Sequence, residues 1–195
     1  LFIIGFFILM PRDYVDPGGQ AGTPSPTGAG TQVSSSGSDT DANPAPLPDA
    51  KAYEVAPLYE ELARNCKDPQ GVVCFQRGLN EITKANGPAA ALDALSLLQK
   101  NGKIAVSADD HQIAHEIGRK TAQYFGLNPQ AFLACTTTFN YGCQHGFFEY
   151  ALGRTTSTKE AAALICGPLE RDPAYSAKFK FYCYHGVGHG VMMAQ

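Results

Sequence analysis

Paired residues four positions apart recur along this 195-residue chain at nearly even intervals, and that recurrence restricts the fold more than anything else in the sequence. The five histidines are all spent on three such pairs: His111-x3-His115, His145-x3-Glu149 and His185-x3-His189. Arg77-x3-Glu81 makes a fourth. From Arg77 to His111 is 34 residues, from there to His145 another 34, and on to His185 a further 40. Side chains four apart lie above one another on an α-helix, so each pair marks a helix face. A repeat in the mid-thirties is the length of a helical hairpin. Glycine follows the first member in Arg77-Gly78, His145-Gly146 and His185-Gly186, and Cys74, Cys143 and Cys183 stand two or three residues before it. The expected fold is therefore all-α: an array of about four helical hairpins, each an outer helix followed by an inner helix that carries the pair.

The six cysteines obey the same repeat. Cys66 and Cys74 are eight positions apart, as are Cys135 and Cys143, which leaves Cys166 and Cys183. Each pair would join the end of an outer helix to the start of the next inner one. Thiolate ligation of a metal is the alternative, but no Cys-x2-Cys spacing supports it, so three disulfides and an oxidising compartment are expected. The absence of Cys-x2-Cys-His also argues against covalently attached haem.

Composition divides the chain into three. Residues 1–10, LFIIGFFILM, are apolar throughout and are expected to be the end of a membrane anchor or the apolar part of a secretory signal. The anchor is preferred because Met10-Pro11-Arg12-Asp13 does not resemble a small-residue cleavage site, although ten residues fall short of the ~20 that span a bilayer. Residues 11–50 are rich in Pro, Gly and Ser and read as a disordered linker. Residues 51–195 have globular composition and form the helical-repeat domain, expected to be incomplete at its C-terminus because the last inner helix reaches Gln195 without a stop signal. A net charge of -3 and the lack of Lys or Arg between Arg12 and Lys51 argue against nucleic acid and against a polybasic contact with anionic lipid. The chain is thus expected to be extracytoplasmic, periplasmic or extracellular, and tethered to a membrane by its N-terminal anchor, with a protein partner left open.

Local signals place the helices. Outer helices are expected over Lys51 to Asn65, over Pro88 to Lys100 with Asn101-Gly102 as the stop, after Asn128-Pro129, and over Thr158 to Cys166 before Gly167-Pro168. Inner helices are expected from the capping signal Ser107-x2-Asp110 to Phe125, from Cys143 to Leu152, and from His185 onward. The short alternation of Lys178 to Tyr184 is expected to be a crossing loop.

The candidate metal ligands are His111, His115, His145, Glu149, His185 and His189. Inner helices packed ~8 to 10 Å apart could bring them together, either as a single site or as two ions bridged by Glu149. Imidazole-rich ligand sets suit zinc, copper, iron or nickel rather than calcium or magnesium, and nothing in the sequence selects among them; zinc, copper or iron is the expected ion. The metal could be held closed, or left with an open position as in a hydrolase or oxidoreductase. In the competing readings the histidines bond neighbouring helices or sense pH, and the array is a protein-interaction scaffold. Arg77 and Glu81 are expected to form a salt-bridged version of the pair. Asp109 and Asp110 are expected to cap a helix, and Tyr141, Tyr182 and Tyr184 to pack beside the pairs, with proton donation as their alternative role. Glycines in the inner helices are costly unless another backbone or a ligand comes close.

Overall fold

A computed structural model describes residues 44–48, 53–66, 71–104, 108–155, 157–175 and 177–193. These residues form eight helices and no strand: α1 (Val55–Asn65), α2 (Gly71–Asn86), α3 (Pro88–Lys100), α4 (Ala108–Phe125), α5 (Pro129–Ala134), α6 (Gly142–Leu152), α7 (Thr158–Arg171) and α8 (Ala177–Met193). Taken in pairs they are four hairpins. The inner helices α2, α4, α6 and α8 pack in a row, each on the next, while α1 packs on α3 and α5 on α7. The expected array of hairpins is what the chain forms.

Each boundary has a chemical cause. Pro88 opens α3, where a missing N–H costs nothing. Its end is a Schellman turn: Gly102 sits at φ 66, its N–H donates to the Gln99 carbonyl, and the Lys103 N–H donates to Leu98. The Asn128 side chain accepts the Ala131 N–H and starts α5. Ser157 accepts the Glu160 N–H and starts α7. Ser107 and the side chain of Asp109, in the capping signal expected for α4, lie outside the described residues. Asp110 falls within the first turn of α4, where it accepts from the His111 N–H and from Gln99 of α3.

Disulfides join Cys66 to Cys74, Cys135 to Cys143 and Cys166 to Cys183, the pairing that the repeat selects. Three such bridges fit an oxidising, extracytoplasmic environment.

Two apolar clusters form the interior. The first gathers Phe75 and Leu79 of α2, Leu92, Leu95 and Leu98 of α3, and Ile113 and Ile117 of α4. The second gathers Ala122 and Phe125 of α4, Phe132 of α5, Phe147 and Phe148 of α6, Ile165 of α7 and Val187 of α8. Side chains of this kind contribute roughly 1.5–3 kcal/mol each when fully buried.

Three expectations need correction. First, α7 does not stop at Gly167-Pro168 but runs to Arg171 with Pro168 inside it. Proline removes the bond to the Leu164 carbonyl. Leu164 lies on the exposed side of the helix, where water can take that bond, while Ile165, Cys166 and Leu169 are held in the core. Second, residues 178–184 are helical, as part of α8. Phe179, Cys183 and Val187 recur every four residues and face the second core, so the helical period prevails over a brief alternation. Third, residues 44–48, assigned to the linker, lie against the domain. The Ala45 N–H donates to the Tyr124 carbonyl, Leu47 packs on the second core, and Pro44 closes over Gly126. The first helix begins at Val55, and Lys51 and Ala52 lie outside the described residues, as do the apolar segment 1–10 and linker residues 11–43. No helix among the described residues is long and apolar enough to cross a membrane.

Candidate metal centre

The histidine-bearing helices meet backbone to backbone, and glycine makes that approach feasible. A Cβ on Gly118 of α4 would lie 1.9 Å from the Cys143 carbonyl oxygen of α6, and one on Gly146 of α6 would lie 1.8 Å from the His115 carbonyl oxygen of α4. On α8, a Cβ at Gly186 would meet the Phe148 ring at 2.8 Å, and one at Gly190 would meet the Phe148 carbonyl oxygen at 2.9 Å. The glycines beside the histidines are thus contact points between helices. Gly188 is different, with nothing within 4 Å of its Cβ position.

Five imidazoles gather at this crossing in two groups that share His145. In the first group, the His111, His115 and His145 ring centroids are 4.5, 5.7 and 5.4 Å apart and the planes meet at 71, 76 and 69°. One nitrogen from each ring lies within 4.8 Å of the others, so this group could hold a metal ion. Steeply crossed planes suit three rings aimed at one centre, because an imidazole donates in its own plane. Nitrogens on a tetrahedral ion with ~2.0–2.1 Å bonds are about 3.4 Å apart, so small side-chain movements would close the set. The second group, His145, His185 and His189, meets the same 4.8 Å limit. There, however, His145 and His189 are stacked face to face at 4.0 Å and 9°. His185 is exposed, His189 half-buried and His145 buried.

Hydrogen bonds fix which nitrogens are free. The His111 Nδ1 lies 2.8 Å from the Phe139 carbonyl oxygen, which only accepts, so Nδ1 carries the proton. The His115 Nδ1 lies 2.5 Å from Glu149 Oε1 and donates to that carboxylate. Wherever both rings are neutral, each keeps its lone pair on Nε2, and the two Nε2 atoms lie 2.9 Å apart. Lone pairs so placed repel unless a cation lies between or beside them: a proton on one ring, or a metal ion. Cis nitrogens on an octahedral ion are about 2.9 Å apart for bonds of this length.

His145 is the buried member of the set that makes no hydrogen bonds. The residue is 4% exposed, and neither Nδ1 nor Nε2 has a hydrogen-bond partner. Burial, followed by the proximity of His189, His115, His111 and His185, lowers its pKa to about 3. The unfolded chain protonates this group near 6.5, so between those values it binds the extra proton. Stability from the neutral ring is complete above about pH 6.5 and is lost towards pH 3, at up to about 1.4 kcal/mol per pH unit. The His189 pKa is lowered as well, chiefly by burial. Burial raises the Glu149 pKa, but its bonds and charge contacts with His115 and Arg119 outweigh this and leave it lowered. All three shifts make acid destabilising. The midpoint of thermal unfolding of the metal-free protein is expected to fall steadily below about pH 6.5; a flat profile down to about pH 4.5 would contradict a buried neutral His145.

Glu149 takes a different position from the one expected. One carboxylate oxygen accepts from His115 and the other from Arg119, so both oxygens are taken by protein donors, and Glu149 belongs to neither of the two nitrogen groups. Arg119, which the sequence did not single out, also bonds Glu116 at 2.8 Å. Its signal was present in the spacing, four residues after His115. Arg77 and Glu81 are both exposed, and no ion pair joins them among the described residues. Tyr141 stacks on Tyr182 at 3.9 Å, and the Tyr184 hydroxyl donates to Glu170. No family model, curated protein or solved structure matches the chain.

Proposed function

We propose that this chain is an exported transition-metal-binding protein whose primary centre is His111, His115 and His145, with Glu149 and the Phe139 carbonyl holding two of the rings in the ligating tautomer. The observation that carries this is the 2.9 Å approach of the His111 and His115 Nε2 atoms, with each ring's Nδ1 already committed to a protein acceptor. The buried nitrogens of His145 beside them add to it. An ion at this point would relieve the repulsion and satisfy a buried polar ring together. Three imidazoles suit zinc, copper or iron. On the same proposal, residues 1–10 anchor the chain in a membrane and residues 11–43 tether the domain to it.

A second reading, a metal-dependent hydrolase or oxidoreductase, is favoured by the ligand number: three protein ligands leave a position for water or a small anion. Azide or cyanide altering the spectrum of the copper-loaded protein would support that reading.

Zinc titration of the metal-free full chain tests the proposal. Tight binding is expected, with Glu149→Gln weakening it about 10- to 100-fold and the exposed Glu81→Gln leaving it unchanged. Equal losses in the two variants, or no binding by the native chain, would overturn it and leave a scaffold with structural histidines.

A further inference from the structure

We propose that the centre holds two metal ions and that the His145 ring bridges them, an inference that rests on the metal-binding reading above. His145 belongs to both nitrogen groups, and no other residue does. Its ring centroid lies 5.7 and 5.4 Å from those of His111 and His115 on α4, and 5.5 and 4.0 Å from those of His185 and His189 on α8. An imidazole nitrogen has one lone pair to give one ion, so a ring serving both groups must use both nitrogens. His111 and His115 cannot, because each commits Nδ1 to a protein acceptor. His145 can, because both of its nitrogens are buried without a partner. The carboxylate of Glu149, the other group on α6 with two donor atoms, is occupied by His115 and Arg119.

The chemistry balances without an oxidant or reductant. The first ion takes the lone pair of the unprotonated nitrogen of His145. The second takes the place of the remaining N–H proton, which leaves to a buffer base, and the ring becomes an imidazolate with one negative charge shared by two ions. With bonds of ~2.0–2.1 Å on either side of the ring, the ions stand about 6 Å apart.

The two positions differ. The α4–α6 group already has its planes crossed, whereas ligation on the α8 side requires His189 to leave its stack on His145 and donate in its own plane. The first ion therefore fills the α4–α6 side, and the second binds more weakly beside the exposed His185.

Copper(II) titration of the full metal-free chain, followed by elemental analysis and spin integration in electron paramagnetic resonance, tests this. Two equivalents are expected, with full spin intensity after the first and a marked loss after the second, because an imidazolate couples the two ions. The double variant His185→Ala/His189→Ala, changed on the exposed side, is expected to stop at one equivalent and keep full intensity. A native chain that binds only one ion overturns the bridge and leaves the single-ion centre standing. Two ions with undiminished intensity also overturn it. A chain that binds no copper overturns both the bridge and the function beneath it.

Discussion

Gly118→Ala and Gly146→Ala are each expected to destabilise the protein by about 3 kcal/mol or more, at the upper end of what overpacking costs. The new methyl carbon would fall within 2 Å of a backbone carbonyl oxygen in both cases, and a backbone inside a helix cannot turn aside as a side chain can. Relief requires α4 and α6 to separate, and that separation also parts His115 from His145. Gly188→Ala is the control and should act in the opposite direction. With open space at its Cβ position, the alanine is expected to add roughly 0.5–1 kcal/mol by removing the entropic penalty of a helical glycine. Thermal denaturation of the three variants gives the answer. A mild loss at Gly118 or Gly146, comparable with the effect at Gly188, would mean that the two helices do not cross so closely.

Removing the Cys135–Cys143 disulfide as a Cys135→Ala/Cys143→Ala pair is expected to cost about 2–3 kcal/mol from loop closure and to weaken zinc binding. The bridge spans a loop in which Phe139, Asn140 and Tyr141 all have left-handed backbones, with φ of 54, 50 and 63. Such conformations cost of order 1–3 kcal/mol each and persist only where the surroundings enforce them. The Phe139 carbonyl in that loop sets the tautomer of His111. A relaxed loop withdraws it, and a drop of about tenfold or more in zinc affinity should follow, as for other groups that orient a ligand. Removing Cys66–Cys74, which joins α1 to α2, should lower stability by a similar amount with affinity unchanged. Equal affinity in both double variants would separate the loop from the metal centre.

The regular parts of this arrangement were legible in the sequence because they depend on spacing. Histidines four apart must share a helix face, cysteines at a repeated separation suggest their own partners, and Asn101-Gly102 can end a helix almost anywhere. Glu149 shows the limit. Its spacing from His145 is that of a ligand, yet its role is set by Arg119, 30 residues away on another helix, and by which oxygen faces His115. The Phe139 carbonyl was hidden for a related reason: a backbone acceptor has no letter in the sequence. Pro168 reads as a stop because proline discourages helix locally, but the burial of Ile165, Cys166 and Leu169 decides the outcome. The packing of residues 44–48 was obscured by the composition around them, since Leu47 is the single large apolar residue among prolines and alanines.

The seam between the two apolar clusters carries a consequence of its own. Both α4 and α6 contribute residues to each cluster, and the crossed imidazoles of His111, His115 and His145 lie on these same two helices. On the proposed function, an ion bound there would act as a rivet through the joint, favouring the state in which both halves are folded. Its signature in denaturation would be greater cooperativity, the loaded domain giving way all at once where the empty one opens from either end.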